Sequence, residues 1–349
     1  RPSKGAAVAL KCRVLLYAAS PLFNGGGVET DPAKRALTGY PAADATRWQK
    51  VVDAAVEFNA LGYYGLVTSG TPTAFASVFT TKMSNEIIFA KQVANTTNLE
   101  YSQSPIGYVV SNNRSLGLTS PTQNFVDAFP MTNGLPITDP ASGYSAANPY
   151  TNRDPRLAAT VFYNGMQWMS RAVQFYEGGL DKPNNYNIAP VQTRTGYGLR
   201  KFLGNFATAT AYSSTSHNLP VFRYAEILLN YAEALNELGQ VEAAVTQIKT
   251  LRSRAGIAAG ASTRYGIPVG ITQPAMRTLI QNERRIELAF EEHRFWDIRR
   301  WKIADQVLTT PLTGMKITSS GATLTYQPVP VMTPVWQNKM YHMPIPYDE

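Results

Sequence analysis

The 349-residue chain carries 32 Lys and Arg against 24 Asp and Glu, a formal net charge of +8, with 44% hydrophobic and 16% charged residues. Such a composition supports a large buried core. It offers no run near the roughly 18 uninterrupted apolar residues of a membrane-spanning helix, since the densest stretch, Ala6 to Ala19, is broken by Lys11 and Arg13. The basic residues are dispersed and often lie one helical turn from a carboxylate, which argues against nucleic acid, whereas an acidic substrate or an anionic surface stays open.

In chain order, a first helix is expected from about Ser3, its N-cap, to Ala19, with Pro21 as the stop. It is apolar on nearly all sides and should be buried in a helical layer. Cys12, the only cysteine, sits among its apolar residues and reads as a buried small side chain, with no internal disulfide open to it. A second helix starts near Asp44, with Trp48, Val51, Val52, Ala55 and Phe58 at helical spacing and Gly62 as terminator. The chain opens on Arg1-Pro2 and ends on Tyr347-Asp348-Glu349 without a start or closing feature, which reads as the interior of a longer protein.

A different kind of chain follows. From Asn95 to Tyr150 only Glu100, Arg114, Asp127 and Asp139 are charged, and Asn, Ser, Thr, Gly, Pro and Tyr dominate. A helical period survives only at Pro121 to Phe129, and Asn152 to Tyr212 continues in the same style. The aromatic content argues for ordered loops rather than disorder.

Two further helices form a hairpin. Tyr224, Leu228, Tyr231, Leu235 and Leu238 make one stripe, flanked by Ala225 and Ala232, with Glu226, Asn230, Glu233 and Glu237 opposite and Gly239 at the end. Val241, Ala244, Val245, Ile248, Leu251 and Ala255 make the second stripe, closed by Gly256. The pair has the form of a tetratricopeptide-like unit. A fifth and longest helix is expected from Thr272-Gln273-Pro274 to about Asp305, apolar on two faces and therefore buried between layers.

That last helix holds the densest charge, Asn282 to Arg300. Glu283, Glu287 and Glu291 followed by His293 suggest a metal or an acid/base pair. The spacing fails, because neither Glu-x-x-His nor His-Glu-x-x-His is present. The expectation is a helix-surface ladder of Glu283 or Glu287 with Arg284, Glu291 with Arg294, and Asp297 with Arg300. His217, His293 and His342 lack metal-ligand spacing, Gly25-Gly26-Gly27 lacks the Lys-Ser/Thr of a phosphate loop, and no Gly-x-Ser-x-Gly elbow occurs. No metal or cofactor is expected. Paired carboxylates for glycoside hydrolysis meet only in the fold, so a glycosidase stays open as a rival. The loop aromatics Tyr101, Tyr108, Tyr144, Tyr150, Trp168 and Tyr176 are candidates to stack on sugar rings while nearby Asn, Gln, Asp and Arg bond the hydroxyls.

Several segments resemble the SusD/RagB family in its own order. They are Lys4 to Lys11, Arg13 to Pro21, Asn85 to Ala90, Pro121 to Phe129, Asn152 to Leu157, Thr193 to Tyr197, Arg223 to Ala234, Glu283 to Glu291, Arg294 to Trp301 and the closing Tyr341 to Pro346. The resemblance implies a mostly α fold, a SusD-like α/α superhelix of tetratricopeptide-like helix pairs supporting a long loop-rich ligand-binding region. It implies one domain over 1–349, divided into scaffold helices (1–62), a loop-rich variable region (63–220), tetratricopeptide-like helices (221–305) and a C-terminal loop segment (306–349).

It further implies a non-enzymatic, lipid-anchored protein of the Bacteroidetes outer-membrane surface. Such proteins bind oligosaccharides, or peptides in some members, and deliver them to a SusC-like TonB-dependent transporter. The family's signal peptide, lipid-bearing cysteine and first helices have no counterpart in this sequence, and Cys12 stands where the family usually has Ala. The family's shared motifs are structural, so no binding residue carries over. Tyr101, Tyr108, Asn112, Asn113 and Arg114 are the candidate contacts by their clustering, with Trp168 and Tyr176 beside them. A protein-interaction scaffold without a small ligand is the remaining alternative.

Overall fold

The computed structural model describes residues 2–25, 27–71, 73–110, 112–185 and 192–343. Arg1, Gly26 and the closing Pro344-Ile345-Pro346 with Tyr347-Asp348-Glu349 lie outside the described residues. The scaffold helices are α1 (Lys4–Ala19), α2 (Thr46–Asn59), α3 (Tyr224–Glu237), α4 (Val241–Ala255), α5 (Gln273–Glu287) and α6 (Arg294–Arg300). The strands used below are β1 (Ile87–Thr96), β2 (Val109–Val110), β3 (Asn113–Arg114), β4 (Thr215–Arg223), β5 (Leu312–Ser320) and β6 (Thr323–Met332).

The helix starts follow the capping chemistry of the sequence. Ser3 Oγ accepts from the Ala6 amide at 3.3 Å, and Asp44 Oδ1 accepts from the Thr46 amide at 2.9 Å ahead of α2. α1, α2, α3 and α4 enclose one core in which Cys12, Leu16, Val51, Ala55, Phe58, Leu229, Ala232, Ile248 and Leu251 are all sealed from solvent. The alanines let the backbones approach closely. Gly239 turns the chain at a positive φ of 78° and folds α4 back along α3, and Gly256, at 85°, caps the end of α4. α1 differs from the expectation of burial on all sides: Leu10 and Val14 are 51% and 56% exposed, because α2 and α3 cover only one side of it.

The fifth expected helix is not continuous. α5 stops at Glu287, Phe290 and Glu292 take left-handed φ of 61° and 65°, and α6 and a short helix at Ala304–Val307 follow. The break has a tertiary cause. Helix C-terminal carbonyls need donors, and here Lys201 Nζ donates to Glu287 O at 3.2 Å and Ala289 O at 2.8 Å, while Arg223 Nη2 donates to Glu287 O at 2.6 Å. Two cations from the loop side thereby hold the helix end open.

The expected ladder on that helix is likewise corrected. Of its pairs only Asp297–Arg300 forms, at 2.8 Å. The remaining carboxylates are buried and reach distant cations. Glu287 pairs with Arg223 at 2.7 Å, Arg156 at 2.9 Å and Arg254; Glu283 with Arg156 at 2.7 Å and Arg252 at 2.9 Å; Glu291 with Arg223 at 2.6 Å and Lys201 at 2.7 Å. Glu86 joins Arg223 and Arg254, and Asp154 joins Arg156. The carboxylates and cations named in this set balance, five against five. Balance is what burial demands, since an unpaired buried charge is costly. A second set links Arg13 to Glu226, Arg284 to Asp297, and Arg300 to Asp297 and Glu233.

The loop-rich region also has more strand than expected. β1 pairs antiparallel with β4, from Ile87 opposite Arg223 to Thr96 opposite Thr215, with irregular register. The C-terminal segment, expected as loop, holds the β5–β6 hairpin, with Thr323 opposite Ser320. Pro328 and Pro330 speak against a strand in the sequence, yet β6 belongs to a two-stranded sheet and each proline can turn its missing donor outward. These elements surround a second core of Val126, Phe129, Leu157, Phe162, Trp168, Phe175, Tyr197 and Ile317.

Candidate ligand-binding site

Residues 98–118 form one excursion of the loop region. The short helix Asn98–Gln103 carries Tyr101, and the chain then turns into the β2–β3 hairpin, where Val109 opposes Arg114 and Val110 opposes Asn113. Asn112 takes a left-handed φ of 67°, a conformation Asn tolerates better than most residues. The returning strand bonds back to the helix: the Leu116 amide donates to Tyr101 O at 2.9 Å and the Leu118 amide to Ser102 O at 3.0 Å. Tyr101, Asn112, Asn113 and Arg114 are thereby brought onto one local structure. Asn112, Asn113 and Arg114 are exposed and Tyr101 is half-buried.

The other sequence candidates lie beneath or beside this rim. Tyr108 is buried, its hydroxyl donating to Trp168 O at 3.1 Å, and the Arg171 guanidinium covers its ring at 3.8 Å from the centroid. Burial raises the Tyr108 phenol above its ordinary range, so it stays a donor. Arg171 is in turn held by Asp181 at 2.8 Å, and Asp181 Oδ1 accepts from the Gly107 amide at 3.1 Å. A side chain at Gly107 would meet that carboxylate at 2.5 Å, so the approach needs glycine. Trp168 is fully buried, with Nε1 donating to Tyr212 Oη at 3.1 Å and its ring edge-on to Phe162 and Phe206. Neither Tyr108 nor Trp168 presents an open ring face. Tyr176 is half-buried and donates to Gln174 Oε1 at 3.0 Å. Of the remaining loop aromatics, Tyr150 stacks on Tyr163 at 4.4 Å and Tyr144 lies near Arg153.

The arrangement is an exposed polar rim beside a buried layer in which Arg171, held by Asp181, covers the Tyr108 ring. Asn112, Asn113 and Arg114 offer donors and acceptors, while the Tyr108–Arg171–Asp181 stack fixes the base beneath them. Sequence reading did not find Arg171, Asp181 or Gly107, because no motif marks them and their contacts span up to 74 positions. His217 Nε2 lies 2.9 Å from Glu100 in the buried layer below. Among the described residues no three His, Cys, Asp or Glu gather as a metal site, and no helix is long and apolar enough to cross a membrane.

Comparison with known proteins sets this geometry in context. The model of the SusD family matches residues 85–349. The SusD-like protein P2 of Formosa agariphila is 44% identical over 96 residues, a stretch that spans 27% of this chain and 19% of that protein. A SusD-like protein from Bacteroides fragilis, solved by crystallography, superposes on 100% of this chain and 63% of its own with a TM-score of 0.75 and 30% identity. A SusD-like carbohydrate-binding protein from the same species shares the fold at 23% identity and a TM-score of 0.64, again over 100% of this chain and 63% of that one. The chain thus spans less than two thirds of the length of these solved relatives.

Proposed function

Because the chain belongs to the SusD family, we propose that it binds an oligosaccharide at the cell surface and delivers it to a SusC-like TonB-dependent transporter of the outer membrane. In this reading the protein is not an enzyme, and a lipid anchor tethers it to the membrane. The helix pairs α1 with α2 and α3 with α4 act as tetratricopeptide-like units of an α/α superhelix that holds the loop layer rigid. The carbohydrate-binding description of the Bacteroides fragilis relative supports the ligand class.

The observation that carries the reading is the rim itself. Exposed Asn112, Asn113 and Arg114 adjoin the half-buried Tyr101 above a floor fixed by Tyr108, Arg171 and Asp181. A ring to stack on and several side-chain hydrogen-bonding groups at a preorganised edge are what sugar recognition needs. A glycan array followed by calorimetry tests it. Tyr101→Ala and Arg114→Ala should each weaken the best oligosaccharide about 10-fold, near 1.4 kcal/mol, without lowering the melting temperature. Absence of any oligosaccharide binding at millimolar concentration would refute capture. Unchanged affinity in both variants would move the site elsewhere, and hydrolysis of a bound glycan would favour the enzyme.

A further inference from the structure

Arg200 differs from the arginines of the buried charge sets. Arg156, Arg223, Arg252, Arg254, Arg284 and Arg300 all pair with carboxylates. Arg200 donates from Nη1 to Ala158 O and lies 5.1 Å from the Trp168 ring centroid, and among the described residues it has no ion pair. Burial pulls its guanidinium down to about 10, with only Tyr163 opposing. It stands in the wall of a pocket of about 340 Å³ between the short helices Ala74–Ser77 and Pro155–Thr160 and the segment 202–205.

The remaining lining suits a sugar. Thr73, Ser77, Thr80 and Asn205 supply hydroxyl and amide groups, and Phe202 and Leu203 supply an apolar wall. The Thr73 and Ser77 hydroxyls donate to Gly70 O and Ala74 O, which leaves their oxygens as acceptors. A pocket of this size matches a small-ligand site. A half-buried cation without a counter-charge is unfavourable unless something supplies one. A guanidinium edge also matches an oxyanion in shape and charge.

We propose that this pocket is a subsite for an acidic sugar, one bearing a carboxylate or a sulfate ester, whose oxyanion takes the open N–H edge of Arg200 while Phe202 and Leu203 meet the apolar side of the ring. The proposal rests on the glycan-binding reading and narrows its substrate class. The formal charge of +8 agrees with an acidic ligand. Trp168 joins the subsite to the rim, its ring facing Arg200 and its carbonyl accepting from Tyr108.

Calorimetry on the whole chain with three trisaccharides of matched length, a galacturonate, a sulfated galactose and a neutral galactose, tests the proposal. At least one acidic probe should bind about 10-fold tighter than the neutral one, and which of the two does so identifies the oxyanion. Arg200→Met should remove that preference, whereas Arg200→Lys should keep part of it. Asn205→Asp, at an exposed position, places a carboxylate in the pocket and should cost the acidic probe about 10-fold with the fold intact. Neutral binding without an acidic preference, or a preference that survives both Arg200→Met and Asn205→Asp, overturns the subsite alone. Failure of all three probes overturns the glycan reading together with it.

Discussion

Replacing Glu287 by Gln tests the claim that buried charge pairs join the scaffold to the loop layer. Glu287 has no exposed side-chain surface and pairs with Arg223 at 2.7 Å, Arg156 at 2.9 Å and Arg254. Gln preserves the shape and one acceptor but leaves the balanced set with one uncompensated positive charge, and its amide points a donor at guanidinium groups. Breaking a buried pair from one side costs ~3–5 kcal/mol, and the retained acceptor places the expectation near the lower end, about 3 kcal/mol. That is a large share of the ~5–15 kcal/mol that holds a protein folded. Urea unfolding at pH 7, followed by tryptophan fluorescence, measures it. Glu57→Gln serves as control, since the Lys11–Glu57 pair is about half exposed and should contribute at most ~1 kcal/mol.

The pH dependence supplies a second reading of the same variant. Burial pushes the Glu287 carboxyl up, but Arg254, Arg223 and Arg156 outweigh it and hold it well below the usual range. A depressed carboxylate stabilises the fold above its unfolded pKa of about 4.3, and that contribution is lost as the pH falls from there toward the folded value. The gap between wild type and Glu287→Gln should therefore be full at pH 7 and narrow below about pH 4.3. A cost under about 1 kcal/mol at pH 7, equal to the control, would refute the structural role argued for the set.

His293 should make stability fall on mild acidification. Burial lowers its imidazole to about 4 against the pull of Glu226, and Nδ1 lies 3.2 Å from Arg284 Nη2, an acceptor position for neutral histidine. The unfolded state takes up a proton near pH 6.5 while the folded state resists until about 4, so stability declines between them, by up to about 3 kcal/mol. Denaturant melts at pH 7 and 5 should show that decline in wild type and a smaller one in His293→Asn; equal slopes would dismiss it. Cys12 is sealed, and burial raises its thiol to about 12. A thiol reagent at pH 8 should modify it only upon unfolding, and rapid labelling of the native chain would contradict the packing of α1.

The scaffold helices were legible because their cues are local. Ser3 caps α1, the apolar stripes of α2, α3 and α4 face the core, and Gly239 and Gly256 turn the chain as their sequence context suggests. The break after Glu287 was not, because its cause is Lys201 and Arg223 arriving from the loop side. The ladder failed for a related reason. Spacing proposed partners one turn away, whereas Glu287 pairs with residues 33 to 131 positions distant. Composition located the excursion around Tyr101 and Asn112 to Arg114, yet it cannot tell an aromatic that faces solvent from one that fills a core. Trp168 is the example: its ring is enclosed by Phe162 and Phe206, which no local pattern announces. Arg171, Asp181 and Arg200 carry no motif at all, and only the fold brings them to the candidate surfaces.

The placement of the buried charges explains why the strongest sequence motifs and the candidate ligand surface are different residues. Arg223 ends β4 and begins α3, and from that junction it reaches Glu86 ahead of β1 and Glu287 and Glu291 at the end of α5. Arg156 ties the second core to α5 through Glu283 and Glu287, and Arg252 bonds Glu283 together with Gly134 O and Tyr265 O. Each of these arginines ties the root of a loop element to α5. An apolar joint at these roots would hold them with little directional preference, whereas a guanidinium fork accepts its carboxylates in few orientations. The roots are therefore fixed in angle as well as in position. None of the contacts named for this set reaches residues 101–118, so side chains at the rim can differ without disturbing the joint that orients them.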